Sequence, residues 1–397
     1  MKIKINYKFI LIYLTTIIFF KPLAINTLPE LSILNRLWDL LRILVSIIII
    51  FKFISKKKIT RANWLILGIY SIFFLSTILS SGDLKGLLVQ FASVFSFCLL
   101  CSNELEKDYF VFFKSAFYAL ATLLVINFIT FFIYPNGIIG YDSVYYNAIY
   151  FLASKNGLIK FIYPAIVFGL IYSNLAGKKI KKSVTFIIII SVFMCIYTQA
   201  LTSLVGIIIY LLLEKMYKKK GNRINFGRLF FLIFIILIMF SILEMTGAFN
   251  NLIKMVVDDI KFNNFYARIV IWKYAFNKIL ASPFVGYGMP VEAGHVLLNR
   301  KYVYAHNGYF EVLLYGGVLA FSLFLILLSK MFFIDKSKVN KNVIIVCSGI
   351  IGFLVMMLTE THVFTISFWS FFVILDFFIS NHDNQINNKD AGENEKK

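Results

Sequence analysis

Apolar residues in this chain gather in long runs, broken by short polar stretches that are mostly basic. A helix that crosses a bilayer needs about 20 mainly apolar residues. By that measure the chain holds roughly twelve spans, near 7–24, 33–54, 63–80, 84–101, 109–134, 158–174, 183–197, 200–213, 227–246, 309–329, 342–359 and 364–380. The runs at 183–197 and 200–213 are short and also read as one bent hairpin. The predicted fold is all-α, a single polytopic transmembrane domain over 1–380. The polar stretch 381–397, "NHDNQINNKDAGENEKK", reads as a disordered cytoplasmic tail.

Loop charge tests that count. Basic clusters fall at Lys2/Lys4/Lys8, at Lys56/Lys57/Lys58/Arg61 and at Lys178/Lys179/Lys181/Lys182. Two more fall at Lys215/Lys218/Lys219/Lys220/Arg223 and Lys336/Lys338/Lys341. With twelve spans all of them share one side, which the positive-inside rule makes cytoplasmic, and both termini join it. Dropping one span would scatter them over both faces. The expected location is a membrane bordering the cytoplasm, crossed many times, which the family resemblance given below narrows to the bacterial cytoplasmic (inner) membrane.

Composition agrees. Hydrophobic residues make up 60% and charged residues 15%, with mean hydropathy +0.81, more apolar surface than a soluble core could hide. The net charge of +20 does not imply nucleic acid, because the cations lie in short inter-span clusters rather than on one folded face. All four cysteines sit in apolar runs and read as packing residues. The N-terminal run resembles a signal peptide, but no small-residue cleavage site follows it, so an uncleaved first span is expected.

Two predicted external loops are large, at about 134–157 and about 246–308. Within the second, "DDIKFNNFYARIVIWKYAFNKIL" has near-helical spacing, with Val270, Trp272, Ala275 and Ile279 on one face. An amphipathic helix on or near the membrane is expected there. "ASPFVGYGMP" then ends it, and its Gly-Tyr-Gly reads as a turn. The external histidines His295, His306 and His362 match no compact ligand spacing, so neither a metal site nor a cofactor is implied.

His306 stands at the threshold of a span, where a neutral imidazole can take a proton from a hydroxyl near neutral pH. An interfacial histidine bonded to a backbone carbonyl fits the residue types equally well. Glu311, just inside the span, is costly there unless it faces a polar cavity or a cation. Arg268 could pair with phosphate through its fork, or could snorkel to lipid headgroups. Lys273 lies five residues on. Lys155 and Asn156 end the first large loop, and either contact an anion or cap a helix. Glu360, Thr361 and His362 form the last short external turn. Arg36, Asp39 and Arg42 read as self-compensating pairs within the second span.

Four segments then resemble the O-antigen ligase and Wzy-type polysaccharide polymerase superfamily. "YAHNGYFEVLLYGGVLAFSLFLIL" is similar to its histidine–asparagine loop end with a glutamate and glycines in the next span. "ARIVIWKYAFNKILASPFVGYGM" resembles its arginine-led segment, "FLASKNGLIKFIYPAIVFG" its Lys-Asn start of a mid-chain span, and "TQALTSLVGIIIYLLL" its Thr/Ser-rich short span. They occur in the family's order over roughly the C-terminal two thirds of the chain.

The resemblance implies a metal-independent membrane glycosyltransferase. Donor and acceptor would be oligosaccharides on undecaprenyl pyrophosphate, and an acceptor hydroxyl would attack the anomeric carbon at the external face. His306 would activate or position that hydroxyl, and Arg268 would bind the pyrophosphate. Asn307 and Glu311 would orient His306 or bind sugar. The family often carries a second external arginine; here Lys155 and Arg300 stand in that region. Expected partners besides the bilayer are a chain-length regulator and a flippase. A polymerase of repeat units is the leading reading, an O-antigen ligase its neighbour. A lipid-linked-oligosaccharide flippase or transporter is the reading from another class, for which charged mid-span residues and related halves would be expected.

Overall fold

The computed structural model describes residues 6–54, 59–140, 148–220, 263–291, 304–331 and 333–394, with isolated helical positions at Phe231, Leu232, Ile235 and Met239. Among the described residues regular structure is helical, with isolated bridges at Ile139–Ile149 and Ile149–Ser154. The main helices are α1 (Tyr7–Phe19), α2 (Ser32–Ile54), α3 (Arg61–Leu79), α4 (Leu84–Ile133), α5 (Ile159–Ala176) and α6 (Lys178–Tyr197). There follow α7 (Leu201–Lys220), α8 (Asn263–Ala281), α9 (Gly308–Ser329), α10 (Lys341–Met356) and α11 (Ile366–Asn394). The predicted ninth span, 227–246, and the loop positions His295 and Arg300 lie outside the described residues, the four isolated positions excepted.

Among the described residues five helical segments are long and apolar enough to cross a membrane: Arg61–Leu79, Leu84–Ile133, Lys155–Ala176, Ile180–Tyr197 and Gly308–Ser329. Tyr7–Phe19, Lys341–Met356 and Ile366–Asn381 are shorter apolar helices. α4 carries two of the predicted spans in series. Its backbone leaves helical geometry at Asp108 (φ −167°, ψ 84°), whose carboxylate accepts from Val111 N–H at 3.0 Å and caps the second half. α11 runs on as helix through the polar stretch to Asn394. No proline interrupts it, and a helix already started by packed residues propagates at little cost.

α4 is the hub, packed by α1, α2, α3, α5 and α11, while α9 lies on α3 and α10 on α7. The core between them is aromatic, with Phe97, Phe113, Phe168, Phe368 and Trp369 all fully buried. The outer surface is apolar too: α2 exposes Ile33, Leu37, Ile48 and Phe51, as a lipid-facing helix does. Polar contacts gather at two poles. At one, Asp376 takes Lys330 at 2.8 Å and the Ala62 N–H at 2.7 Å, and Glu104 takes Lys107 at 2.6 Å. These lie beside the predicted cytoplasmic clusters. The other pole collects the segments around residues 21–27, 77–83, 134–140, 148–160, 282–290, 304–311 and 357–367.

α9 is built around a kink at that second pole. Gly317 sits at φ 58°, ψ −162°, breaking the helix ladder. The freed backbone groups are met by the "SPFVGYG" loop after α8. Val318 and Leu319 N–H donate to the carbonyls of Pro283 (2.8 Å) and Phe284 (3.2 Å). In return Tyr287 and Gly288 N–H donate to Leu314 O (2.6 Å) and Tyr315 O (3.0 Å). Broken helix is tolerated in an apolar bundle only where neighbouring chain satisfies it. The loop also reaches α3, where Met289 N–H donates to Thr77 Oγ1 at 2.9 Å.

Candidate active site

The segment before α9 is held from three directions. Asn307 caps the helix, its Oδ1 accepting from Tyr309 N–H (3.0 Å) and Phe310 N–H (3.1 Å). Its Nδ2 donates to Leu358 O at 3.2 Å, and Gly308 N–H donates to Met357 O at 2.8 Å. The turn is thereby sewn to the one after α10. Ala305 is gripped on both backbone groups: its N–H donates to Glu311 Oε1 at 2.7 Å, and its carbonyl accepts from Trp272 Nε1 at 2.8 Å. Between these anchors His306 is forced to φ 48°, a left-handed conformation costly for a residue with a Cβ.

α8 brings the arginine. Its face Trp272, Ala275 and Ile279, with Ile271, is buried as the spacing predicts; Val270 falls among side chains outside the description. The partner of that face is protein: Ile271, Ala275 and Ile279 pack with Ala305 and Leu314. One turn nearer the helix start on the same face, Arg268 Nη2 meets Glu360 Oε1 at 2.5 Å and Nη1 donates to Thr359 O at 2.7 Å. Asn156, in the 3-10 turn Lys155–Leu158 leading into α5, donates through Nδ2 to the same Oε1 at 2.6 Å. His306 Nδ1 stands 3.8 Å from the other oxygen, Oε2. That is an electrostatic contact rather than a hydrogen bond.

Glu360 therefore joins three segments far apart in the chain. Burial pushes its carboxyl up, but the facing His306 imidazole and the Arg268 charge more than offset this, leaving it below its ordinary range and ionised. His362, two residues on, is buried against Phe353, and burial holds its imidazole down to about 4. Several buried polar atoms in this shell have no protein partner among the described residues: Asn156 Oδ1, Thr361 Oγ1, Glu311 Oε2 and both His362 ring nitrogens.

Of the residues expected in the site, Arg268, Asn156, His306 and Glu360 come together, with Asn307 and Glu311 behind them. The Glu311 carboxylate reaches back to the Ala305 backbone N–H, just ahead of His306, and Glu360 stands beside the imidazole. Lys155 and the exposed Lys273 make no hydrogen bond or ion pair among the described residues. Asp39 is shared by Arg42 and Lys21, both at 2.9 Å, so the compensation expected within α2 also draws in the loop before it. Sequence reasoning passed over Lys160. A cation two residues inside an apolar helix is itself a functional signal, and it was hidden by its neighbour pair Lys155–Asn156.

Apolar helices of spanning length carrying a polar cluster at one end define an integral membrane protein whose chemistry is confined to one pole. Residues 185–325 match the family model described as O-Antigen ligase, which supports the O-antigen ligase and Wzy superfamily for this chain. The matched region holds Arg268, His306, Asn307 and Glu311; Asn156 and Glu360 lie outside it. No curated protein and no solved structure matches the chain.

Proposed function

We propose that the protein is a Wzy-type polymerase, joining oligosaccharide repeat units carried on undecaprenyl pyrophosphate into a capsular or O-antigen polysaccharide. The observation that carries this reading is the Arg268–Glu360–His306 arrangement in a family-matched helical bundle. His306 turns Nδ1 toward an ionised carboxylate, which favours the proton on that nitrogen and leaves Nε2 as the acceptor. With its side chain 40% exposed, the ring is open to an incoming hydroxyl. The acceptor oxygen forms its bond to the anomeric carbon of the donor as the bond to pyrophosphate breaks. The proton passes to Nε2, and the leaving pyrophosphate keeps the electron pair.

Arg268 spends two of its five N–H donors on Thr359 and Glu360, so the rest of the fork remains for the pyrophosphate oxygens. A cation aimed where negative charge grows is the most effective electrostatic aid to such a step. No metal takes part in this scheme, and the site faces outward across the bacterial inner membrane.

The family's description supports a second reading, an O-antigen ligase that moves finished glycan to another acceptor. Surface glycan of a deletion strain separates them. Single repeats on the acceptor mark a lost polymerase; full-length glycan stranded on undecaprenyl pyrophosphate marks a lost ligase. Unchanged glycan would overturn both.

A further inference from the structure

Next to this site a cavity of about 330 Å³ opens between the end of α1, the start of α5 and the start of α11. That is the size of a small-ligand pocket, for which about 300–1,000 Å³ is usual. Two lysines line it, Lys21 and Lys160, together with Ser154, Thr365, Ser367 and Phe161.

The two cations are not equivalent. Lys21 is matched, bonded to Asp39 at 2.9 Å and to the Asn35 side chain. Lys160 makes no hydrogen bond and no ion pair among the described residues, although it lies one helical turn beyond Asn156. Glu360, whose charge acts on Lys160 through space, is already engaged by Arg268 and Asn156. Lys160 is exposed at the second residue of α5 and lines the cavity, so its ammonium is open to an anion entering there. A second, independent feature is Ser367: its side chain is 1% exposed, lines the cavity, and its Oγ has no partner among the described residues. Charge, an unspent hydroxyl and aromatic wall together match a ring that presents hydroxyls, an apolar face and an anionic group.

We propose that this cavity is a subsite for an acidic sugar, one carrying a carboxylate or phosphate group, with Lys160 as its counter-ion and Ser367 as a hydrogen-bond partner. The inference rests on the glycan-polymerase reading above and narrows its substrate to an anionic repeat unit. The cavity wall runs directly into the catalytic turn, since Thr365 Oγ1 donates to His362 O at 2.8 Å. A sugar held here would have its neighbour in the chain near His306.

The test uses the full-length protein in lipid nanodiscs, titrated calorimetrically with a digalacturonate, with a neutral disaccharide of the same size, and with inorganic pyrophosphate. Digalacturonate should bind wild type and Lys160→Arg alike and lose roughly tenfold in affinity in Lys160→Met, while the neutral sugar is indifferent to the change. In the wild type, added salt should weaken digalacturonate but not the neutral sugar, a reading that needs no variant to fold. Equal binding of both sugars, or no salt effect, overturns the proposal. So does a Lys160→Met variant that loses pyrophosphate and keeps digalacturonate, which would make the cavity a lipid-pyrophosphate subsite. Arg268→Ala keeps the two readings apart. It should lose pyrophosphate affinity and retain digalacturonate; retained pyrophosphate would count against the catalytic reading alone.

Discussion

The guanidinium of Arg268 and the carboxylate of Glu360, 92 residues apart in sequence, meet at 2.5 Å. The same carboxylate turns its second oxygen toward His306, so one buried acid sets the position of both a cation and a base. Each member then has a distinct expected phenotype.

Arg268→Ala leaves Glu360 without its cation and removes the proposed pyrophosphate contact. Polymer formation should fall by roughly a hundredfold or more, the scale for losing one preorganised charge partner in a transition state. Arg268→Lys should recover only part, because an ammonium lacks the two-pronged geometry. Chain-length profiles of the extracted glycan measure both, with membrane insertion as the control. A normal profile in the alanine variant would remove Arg268 from the site.

His306→Ala should abolish long polysaccharide while the protein still inserts, since its side chain is 40% exposed and carries little packing. The change also keeps a Cβ at the left-handed backbone position. His306→Gly should therefore be the more stable of the two, by about 1 kcal/mol, and equally inactive. Melting temperatures of the purified variants give the comparison.

Glu311 is a positioning residue, acting through Ala305. Glu311→Gln keeps an oxygen for the Ala305 N–H and should be mild. Glu311→Ala leaves that N–H unmet in a buried place, at a cost of about 1–3 kcal/mol, and frees the turn that aims His306. The expected signature is a fall in turnover with little change in the donor concentration for half-maximal rate. The opposite split would assign Glu311 to substrate binding.

Acid should destabilise the protein in two stages. His362 is neutral in the fold with its value held near 4, against 6.5 for a free imidazole. The unfolded chain therefore binds the extra proton between those values, and stability falls as pH drops from about 6.5 toward about 4. Glu360 has a lowered value, so its contribution is present above the ordinary carboxylate range and is lost at still lower pH. Thermal melts across pH 4–8 should show the first stage, and His362→Gln should flatten it. A pH-independent melt would contradict the burial of an uncharged His362.

Gly317→Ala should damage the fold itself. A Cβ there would stand 2.2 Å from the backbone carbonyl of Phe284, on a φ of 58°. The loop would have to leave the kink, exposing the carbonyls of Leu314 and Tyr315 and the N–H groups of Val318 and Leu319. Loss of monodisperse protein on size exclusion is the expected result; a wild-type profile would show the loop and kink to be independent.

Much of this was legible in the chain. Within the described residues the apolar runs become helices at nearly the expected places, including the break near Asp108, because burying backbone polar groups in an apolar medium leaves helix as the solution. The periodic face of α8 was readable for the same local reason. The motif that carries the family resemblance pointed to Arg268 and His306. The "GYG" motif read as a turn and the glycines of "YGG" as part of a span, and only together do they form one kink-and-loop unit.

What the sequence by itself determined was therefore local: where helices run, which loops are basic, and which residue types stand at their ends. What only the tertiary structure decided was partnership. Glu311, five residues from His306, belongs to a backbone N–H; Glu360, 54 positions away, faces the imidazole; Lys160 opens onto a cavity of its own. Hydrophobic pattern and helix caps act over a few residues and can be read along a line. The pairing of buried charges is set by which helix ends the bundle brings to one pole, and no one-dimensional spacing records that.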